Sequence, residues 1–258
     1  RFLAHEYFHH FNVKRIRPVA LGPFDYDREN LTRMLWFSEG ATVYYEDLLL
    51  VRDGFFAPEE YLRRLASGLS AYESSPGRRF QSPAEASFDS WFGYFDRSEH
   101  LRNTTVSPYD AGLAVSFLLD LEIRHATENR RSLDDVMRAL YRTYAKEKGR
   151  GFTDGEFRKV CEEAAGNPLP VIFDRYVTTT APIDWPRYLA YAGLELAPET
   201  GPAQGDLGAD LEERGGKVLV TRVGIDSPAS LAGLAARDEL LAVDSVRGEL
   251  PKLRELLA

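Results

Sequence analysis

The sequence feature that most constrains this chain is a pair of histidines four residues apart, close to its beginning. His5, Glu6 and His9 form the pattern His-Glu-x-x-His. On an α-helix, residues four apart lie one above the other, with Cβ atoms roughly 5–6 Å apart, so two imidazoles can bind one zinc ion. Glu6 lies about 100° further round the helix, where a general base for an attacking water belongs. We therefore predict an active-site helix over residues 1–13.

The scarcity of histidine makes this pattern informative. Only five histidines occur in 258 residues, so the motif rarely arises by chance. The alternative is a helix with two unrelated surface histidines. The apolar residues Leu3, Tyr7, Phe8 and Phe11 surround the motif and favour a buried active-site helix.

Catalytic zinc keeps three protein ligands and one open position, so the two histidines need a third ligand. A helix predicted over residues 31–51 carries Glu39 within an apolar, aromatic run. A buried carboxylate without a partner is costly, which makes Glu39 the best candidate. The alternative is a buried salt bridge between Glu39 and a nearby arginine.

Further helices are predicted from amphipathic patterns, prolines and capping motifs. Ser132 with Asp135 suggests a variant of the capping box, and Thr153 with Glu156 fits the capping box directly. They cover residues 58–73, 113–125, 131–148, 153–165 and 168–176, with a loop-rich stretch at 74–106. Tyr109 stands at the head of one helix, where its hydroxyl can donate to an oxyanion; a half-buried structural tyrosine is the alternative. The aromatic residues Trp91, Phe92, Tyr94 and Phe95 either line a substrate cleft or pack in the core.

The composition changes at a Pro/Gly-rich segment, which we interpret as a linker over residues 198–205. Residues 1–197 are predicted to form a mostly α-helical domain. Residues 206–258 contain short strand patterns at 207–211, 217–223 and 239–244, with helices at 227–233 and 252–258. The predicted fold class is therefore a mostly α domain followed by a small α+β domain.

Charge and composition limit the classes of function. The net charge of −8 disfavours a nucleic-acid partner. The sequence lacks the long apolar run that a membrane span requires, and its single Cys161 cannot form an intrachain disulfide. Because the first metal-ligand candidate is the fifth residue, we expect the chain to be a piece of a longer protein; its compartment stays open, with bacterial cytoplasm and periplasm both plausible.

Three stretches together resemble the glycyl aminopeptidase family of zinc metallopeptidases. They are residues 5–18, 35–40 and 109–124. The resemblance covers residues 1–195 and implies the helical half of a thermolysin-like (gluzincin) catalytic domain, without the β-rich part that precedes it in that fold. It implies peptide substrates with a small N-terminal residue, glycine or alanine.

The resemblance also implies roles for individual residues. His5, His9 and Glu39 match the family's zinc ligands, Glu6 its catalytic glutamate, and Tyr109 the tyrosine that stabilises the transition state. One departure follows Tyr109, where the family usually has Lys-Gly and this chain has Asp-Ala-Gly. The expected activity is that of a zinc-dependent aminopeptidase. The alternatives are a zinc endopeptidase with the same site and a non-catalytic scaffold that binds peptides.

The last segment, residues 220–244, resembles a PDZ domain of the bacterial type, although Arg237 and Ser245 stand where glycines are usual. We expect this module to be truncated after Ala258. The resemblance implies a peptide ligand that adds a strand to the edge of its sheet. The alternative is a packing domain without a ligand.

Overall fold

The computed structural model describes residues 1–93, 101–197, 206–243, 246–247 and 249–252. The chain divides into two compact units. The described residues in 1–93 and 105–196 belong to the first unit, and those in 101–104 and from 197 onward belong to the second. The predicted linker, residues 198–205, lies outside the described residues. The domain boundaries therefore stay a prediction.

The described part of the first unit is α-helical. Its helices are α1 (Phe2–Phe8), α2 (Leu35–Arg52), α3 (Pro58–Ser74), α4 (Pro83–Phe88), α5 (Pro108–Ala126), α6 (Leu133–Leu140), α7 (Asp154–Ala165) and α8 (Trp185–Ala190). Two π-helical segments, Tyr141–Glu147 and Val171–Val177, continue the helical path. The predicted mostly helical domain is thus confirmed.

Local capping chemistry explains where several helices begin. Ser132 and Thr153 both accept hydrogen bonds from backbone N–H groups in the first turn, and the carboxylates of Asp135 and Glu156 accept from the capping residues in return. These reciprocal bonds satisfy donors that the helix itself leaves unpaired. The two capping boxes were predicted from the sequence. A third, between Ser82 and Glu85, begins α4 in a stretch that was predicted to be loop-rich.

The core of the first unit forms where α2 and α5 cross. Gly40 and Gly112 meet at this crossing, where a Cβ on Gly40 would lie 2.1 Å from the Cα of Gly112. Glycine at both positions lets the two backbones touch directly. Large side chains such as Trp36, Phe157 and Leu118 are fully buried around the crossing. The crossing fixes the segments that carry Glu39 and Tyr109.

The first helix is shorter and more exposed than predicted. It ends at Phe8, and turns follow in which the N–H groups of Phe11 and Asn12 donate to the carbonyl of Phe8. The prediction that the apolar residues around the motif are buried is wrong for Leu3, Tyr7 and Phe11, which are 81%, 70% and 41% exposed. The reason for Leu3 and Tyr7 is that α1 packs against α2 along one face, and these two residues lie outside that face.

The described part of the second unit contains a small antiparallel sheet. Its strands are β1 (Ala209–Arg214), β2 (Lys217–Val223) and β3 (Glu239–Leu240), in the order β1-β2-β3. β1 and β2 form a hairpin with Arg214 opposite Lys217, and its turn residues Gly215 and Gly216 have φ of 60° and 75°, a backbone conformation that glycine adopts without strain. The strand predicted at 217–223 is therefore confirmed.

The remaining elements of this unit are short. The strand predicted over 239–244 is divided between β3 and β4 (Ala242–Val243), which pairs with β5 (Val246–Arg247). The helix predicted over 227–233 is α9 (Pro228–Leu231). The helix predicted over 252–258 lies outside the described residues beyond residue 252. The assignment to the PDZ class stays a prediction.

Candidate metal centre

Helices α1 and α2 bring the three predicted ligands together. The Nε2 atoms of His5 and His9 lie 3.1 Å apart. The Oε2 atom of Glu39 lies 3.4 Å from Nε2 of His5 and 3.2 Å from Nε2 of His9. Glu39 therefore makes its polar contacts with the two histidines, and in the described part of the chain it has no ion pair with an arginine. The alternative, a buried salt bridge between Glu39 and a nearby arginine, is therefore not observed among the described residues.

These separations suit a tetrahedral metal ion. Zinc binds histidine nitrogen and carboxylate oxygen at about 2.0–2.1 Å, and in a tetrahedron of that radius neighbouring ligand atoms lie about 3.3 Å apart. The three observed separations are 3.1, 3.2 and 3.4 Å. The side chains of His5, Glu39 and His9 are 13%, 18% and 22% exposed, so the site is partly shielded and still open on one side. The three groups fit a catalytic zinc site with an open position.

Each histidine is oriented by a hydrogen bond from its other ring nitrogen. Nδ1 of His5 lies 2.7 Å from Oε2 of Glu46, and Nδ1 of His9 lies 2.8 Å from the backbone carbonyl oxygen of Asn12. Both partners are acceptors, so each Nδ1 carries the proton and donates it. In the neutral form of each ring, Nε2 then presents a lone pair, which is the tautomer that a metal requires.

The two histidine nitrogens and the Glu39 carboxylate together form a cluster of lone pairs that a cation stabilises. Two imidazole lone pairs and the carboxylate of Glu39 all point at one small region. Burial disfavours the charged form of His9, but its contacts with Glu39, with the carbonyl of Asn12 and with the charge of Glu6 outweigh that effect and raise the pKa of His9. A proton or a metal cation relieves the mutual repulsion of these groups. Two histidines and one glutamate are a ligand set that catalytic zinc sites use.

Glu6 is near the cluster but outside it. Its side chain is exposed, and its charge reaches His9, whose pKa it helps to raise. In the described part of the chain Glu6 makes no hydrogen bond or ion pair, so its carboxylate is available to act as a base. On the helix, this position borders the face that carries His5 and His9.

Tyr109 lies in the first turn of α5. Its ring stacks on His5 with centroids 6.4 Å apart and planes 25° from parallel. Its side chain is half-buried. Tyr109 and Glu39 both line a cleft of about 750 Å³, so the tyrosine lies beside the predicted ligands and borders the same open space.

The cleft is mainly apolar, with a polar rim. Its apolar wall includes Leu31, Leu35 and Trp91, and acidic side chains from the segment 25–29 contribute to its edge. Trp91 is 57% exposed, so the cleft interpretation of this residue holds over core packing. Phe92 is also exposed, but it does not line this cleft. Tyr94 and Phe95 lie outside the described residues.

Two residues of the site were missed by sequence reasoning. Glu46 lies seven positions after Glu39, two turns further along the same face of α2. This spacing was a usable signal, because a second buried carboxylate on the ligand face of a helix needs a partner of its own. Asn12 is fully buried, and its side-chain amide donates to the carbonyls of Phe37 and Ser38. No pattern in the sequence predicts that contact.

Comparisons with known proteins identify a family and a solved structure that are similar to this chain. The family model of the M61 glycyl aminopeptidases matches residues 1–115, which include every residue of the candidate site. Among solved structures, an aminopeptidase N family protein from Idiomarina loihiensis is similar, with a TM-score of 0.89 and 27% sequence identity. The match covers 99% of this chain and 46% of that protein, so this chain spans less than half of that protein's length. No curated protein matches the chain.

The family match and the structural match together support a peptidase. In the part of the chain that the structure describes, no helix combines the length and the apolar character needed to cross a membrane.

Proposed function

We propose that this chain carries the catalytic centre of a zinc-dependent aminopeptidase that releases small N-terminal residues, glycine or alanine, from peptides. The preference for small residues rests on the resemblance to the glycyl aminopeptidases, which the family match over residues 1–115 supports. The zinc site rests on one observation, the convergence of Nε2 of His5, Nε2 of His9 and Oε2 of Glu39 within 3.4 Å of one another.

His5, His9 and Glu39 would hold the metal. Zinc, when bound in such a site, lowers the pKa of a water molecule towards about 7 and polarises the scissile carbonyl. The protein's own groups then have distinct tasks. Glu6 accepts a proton from the attacking water and delivers it to the nitrogen of the leaving amine. Tyr109 donates a hydrogen bond to the oxygen that becomes negatively charged.

The position of Glu6 suits the proton transfer. Its exposed carboxylate is free of competing partners in the described residues, and it lies close enough to His9 to influence that ring electrostatically. The ring of the half-buried Tyr109 stacks on His5. This contact favours one orientation of the donor, and a donor that is already oriented costs little reorganisation during the reaction.

The first test of the mechanism is Glu6→Gln, which keeps the shape of the side chain and removes the base. We expect peptidase activity to fall by about 10²–10⁴-fold, the usual contribution of a positioned acid–base group, while zinc content stays the same. Glu59→Gln is a matched control, because Glu59 is exposed on α3 and has no place in the site. Full activity in the zinc-loaded Glu6→Gln protein would show that the assigned base is wrong.

The second test separates an aminopeptidase from an endopeptidase with the same site. An aminopeptidase requires a free amine at the end of its substrate, so it should cleave glycyl and alanyl peptides and leave their N-acetylated forms intact. Cleavage of the blocked peptides at a similar rate would assign the endopeptidase alternative. A protein that cleaves neither and only captures peptides would assign the scaffold alternative.

A further inference from the structure

The cleft beside the predicted ligands is much larger than the released residue needs. Its volume is about 750 Å³, within the range of roughly 300–1,000 Å³ that holds drug-sized ligands. A glycine has no side chain, and the side chain of alanine is a single methyl group. Because the proposed function releases only these residues, the cleft has room for the part of the peptide on the other side of the scissile bond.

The buried hydroxyl groups that line the cleft already have hydrogen-bond partners. Ser87 donates its hydroxyl to a backbone carbonyl and accepts a backbone N–H. Ser90 donates to the carbonyl of Ser87, and the hydroxyl oxygen of Thr32 accepts the N–H of Met34. These groups therefore have little capacity left for a ligand, and apolar contact is the main interaction that this part of the cleft offers.

Aromatic side chains are exposed around the same cleft. Phe24, Trp91 and Tyr26 all line it, and they are 46%, 57% and 91% exposed. Leu35 and Glu39 also line the cleft, one turn apart on the same face of α2. Exposed apolar surface gathered at one place is typical of a binding surface. Here that surface begins next to a predicted metal ligand.

The edge of the cleft carries negative charge. Asp25 pairs with Arg28 at 2.6 Å, whereas the carboxylates of Asp27 and Glu29 are exposed and make no hydrogen bond or ion pair in the described part of the chain. A free carboxylate at the end of a short peptide would be repelled by these charges. A test of side-chain preference therefore needs peptide amides, which lack that charge.

We propose that this cleft binds the residue that follows the scissile bond, and that Leu35 and Trp91 make the enzyme prefer a large apolar side chain at that position. The inference rests on the proposed function. A side chain that leaves water in the cleft and stays buried in the transition state raises kcat/KM. The enzyme is then selective on both sides of the bond, for a small residue before it and a large apolar residue after it.

The experiment measures kcat/KM for Gly-Phe-amide, Gly-Ala-amide and Phe-Gly-amide with wild type, Trp91→Ala and Phe92→Ala. Phe92→Ala is the matched control, because Phe92 is the next residue, is 63% exposed and does not line the cleft. We expect wild type to prefer Gly-Phe-amide over Gly-Ala-amide by about 10–100-fold, as burial of a large apolar side chain predicts. Trp91→Ala should reduce this preference by about tenfold, and Phe92→Ala should retain it.

Three results would overturn the proposal. Equal values for Gly-Phe-amide and Gly-Ala-amide would show that the cleft does not bind the side chain. A higher value for Phe-Gly-amide than for Gly-Phe-amide would show that the cleft holds the released residue instead. An undiminished preference in Trp91→Ala, or the same loss in both variants, would show that Trp91 does not determine specificity.

A second measurement does not depend on catalysis. L-Phenylalaninamide and L-alaninamide carry the two side chains without a scissile bond. The indole ¹⁵N–¹H signal of Trp91, assigned by its loss in Trp91→Ala, is followed as each compound is added to wild type. We expect phenylalaninamide to shift the signal at concentrations where alaninamide does not. If wild type hydrolyses no peptide, the proposed function fails, and this titration still tests the cleft: no shift with phenylalaninamide overturns the inference.

Discussion

Replacing Gly112 with alanine tests the contact between the two helices that carry the site. A Cβ at position 112 would lie 1.9 Å from the carbonyl oxygen of Trp36 and 2.7 Å from the Cα of Gly40. Both neighbours are backbone atoms, so neither can rotate away. Non-bonded atoms of this kind settle at about 3.5 Å, so the helices must separate by about 1.5 Å.

The energetic consequence follows from that separation. Over-packing a dense core costs about 1–3 kcal/mol. Because the added Cβ meets backbone atoms that cannot rotate away, we expect the cost of Gly112→Ala to lie at the upper end, at about 3 kcal/mol. Alanine recovers about 1 kcal/mol relative to glycine in a helix interior. The net loss is about 2 kcal/mol in the free energy of unfolding. For a unit of this size the melting temperature should fall by about 4–8 °C.

The assay is denaturant and thermal unfolding of wild type, Gly112→Ala and Gly155→Ala. Gly155 is a helical glycine in α7, and apart from its own helix backbone and chain neighbours no atom of the described residues lies within 4 Å of a Cβ built on it. Alanine there should therefore leave stability unchanged or raise it by up to about 1 kcal/mol. The two substitutions are chemically identical and differ only in their surroundings. A Gly112→Ala protein as stable as wild type would refute the close contact between α2 and α5.

Three other outcomes are expected. Asp120 is buried and accepts hydrogen bonds from the hydroxyl of Tyr44, from Nε of Arg124 and from the N–H of Leu133, all at 2.7–2.8 Å. The Asp120→Asn substitution puts a new donor opposite these donors, so it should destabilise the fold by about 3–5 kcal/mol. Denaturant unfolding measures this loss. Tyr44→Phe removes one of those bonds and should cost only about 1–2 kcal/mol in the same assay, so an equal or larger loss would contradict the assigned network. Cys161 is fully buried and burial raises its pKa, so a thiol reagent should label it only after unfolding; rapid labelling of the folded protein would contradict its position.

The meeting of His5, His9 and Glu39 could be predicted from the sequence, although their role as metal ligands stays a prediction. His5 and His9 are related by one helical turn, and Glu39 was identified from the cost of burying a carboxylate among aromatic residues. The starts of α6 and α7 could also be predicted from the sequence, because Ser132 and Thr153 carry local capping signals. These features depend on neighbours within four residues, or on a strong energetic penalty at one position.

The features that escaped prediction depend on contacts between distant parts of the chain. Glu46 meets His5 across 41 residues, and the crossing of Gly40 and Gly112 joins two helices with no shared local pattern. The exposure of Leu3 and Tyr7 was wrongly predicted because the apolar residues around the motif occupy more of the helix surface than α2 covers. Local periodicity identifies which residues are apolar, but tertiary packing decides which of them are buried.

The most direct test of the central claim is the zinc content per chain, measured by elemental analysis after incubation with zinc and removal of the excess. We expect about one zinc ion per chain in wild type and none in His9→Ala, because two remaining ligands do not hold a catalytic zinc. His10→Ala is the matched control, since His10 is the next residue and is exposed, and it should retain the metal. Equal zinc content in wild type and His9→Ala, or no zinc in either, would contradict the assignment of His5, His9 and Glu39 as the metal centre.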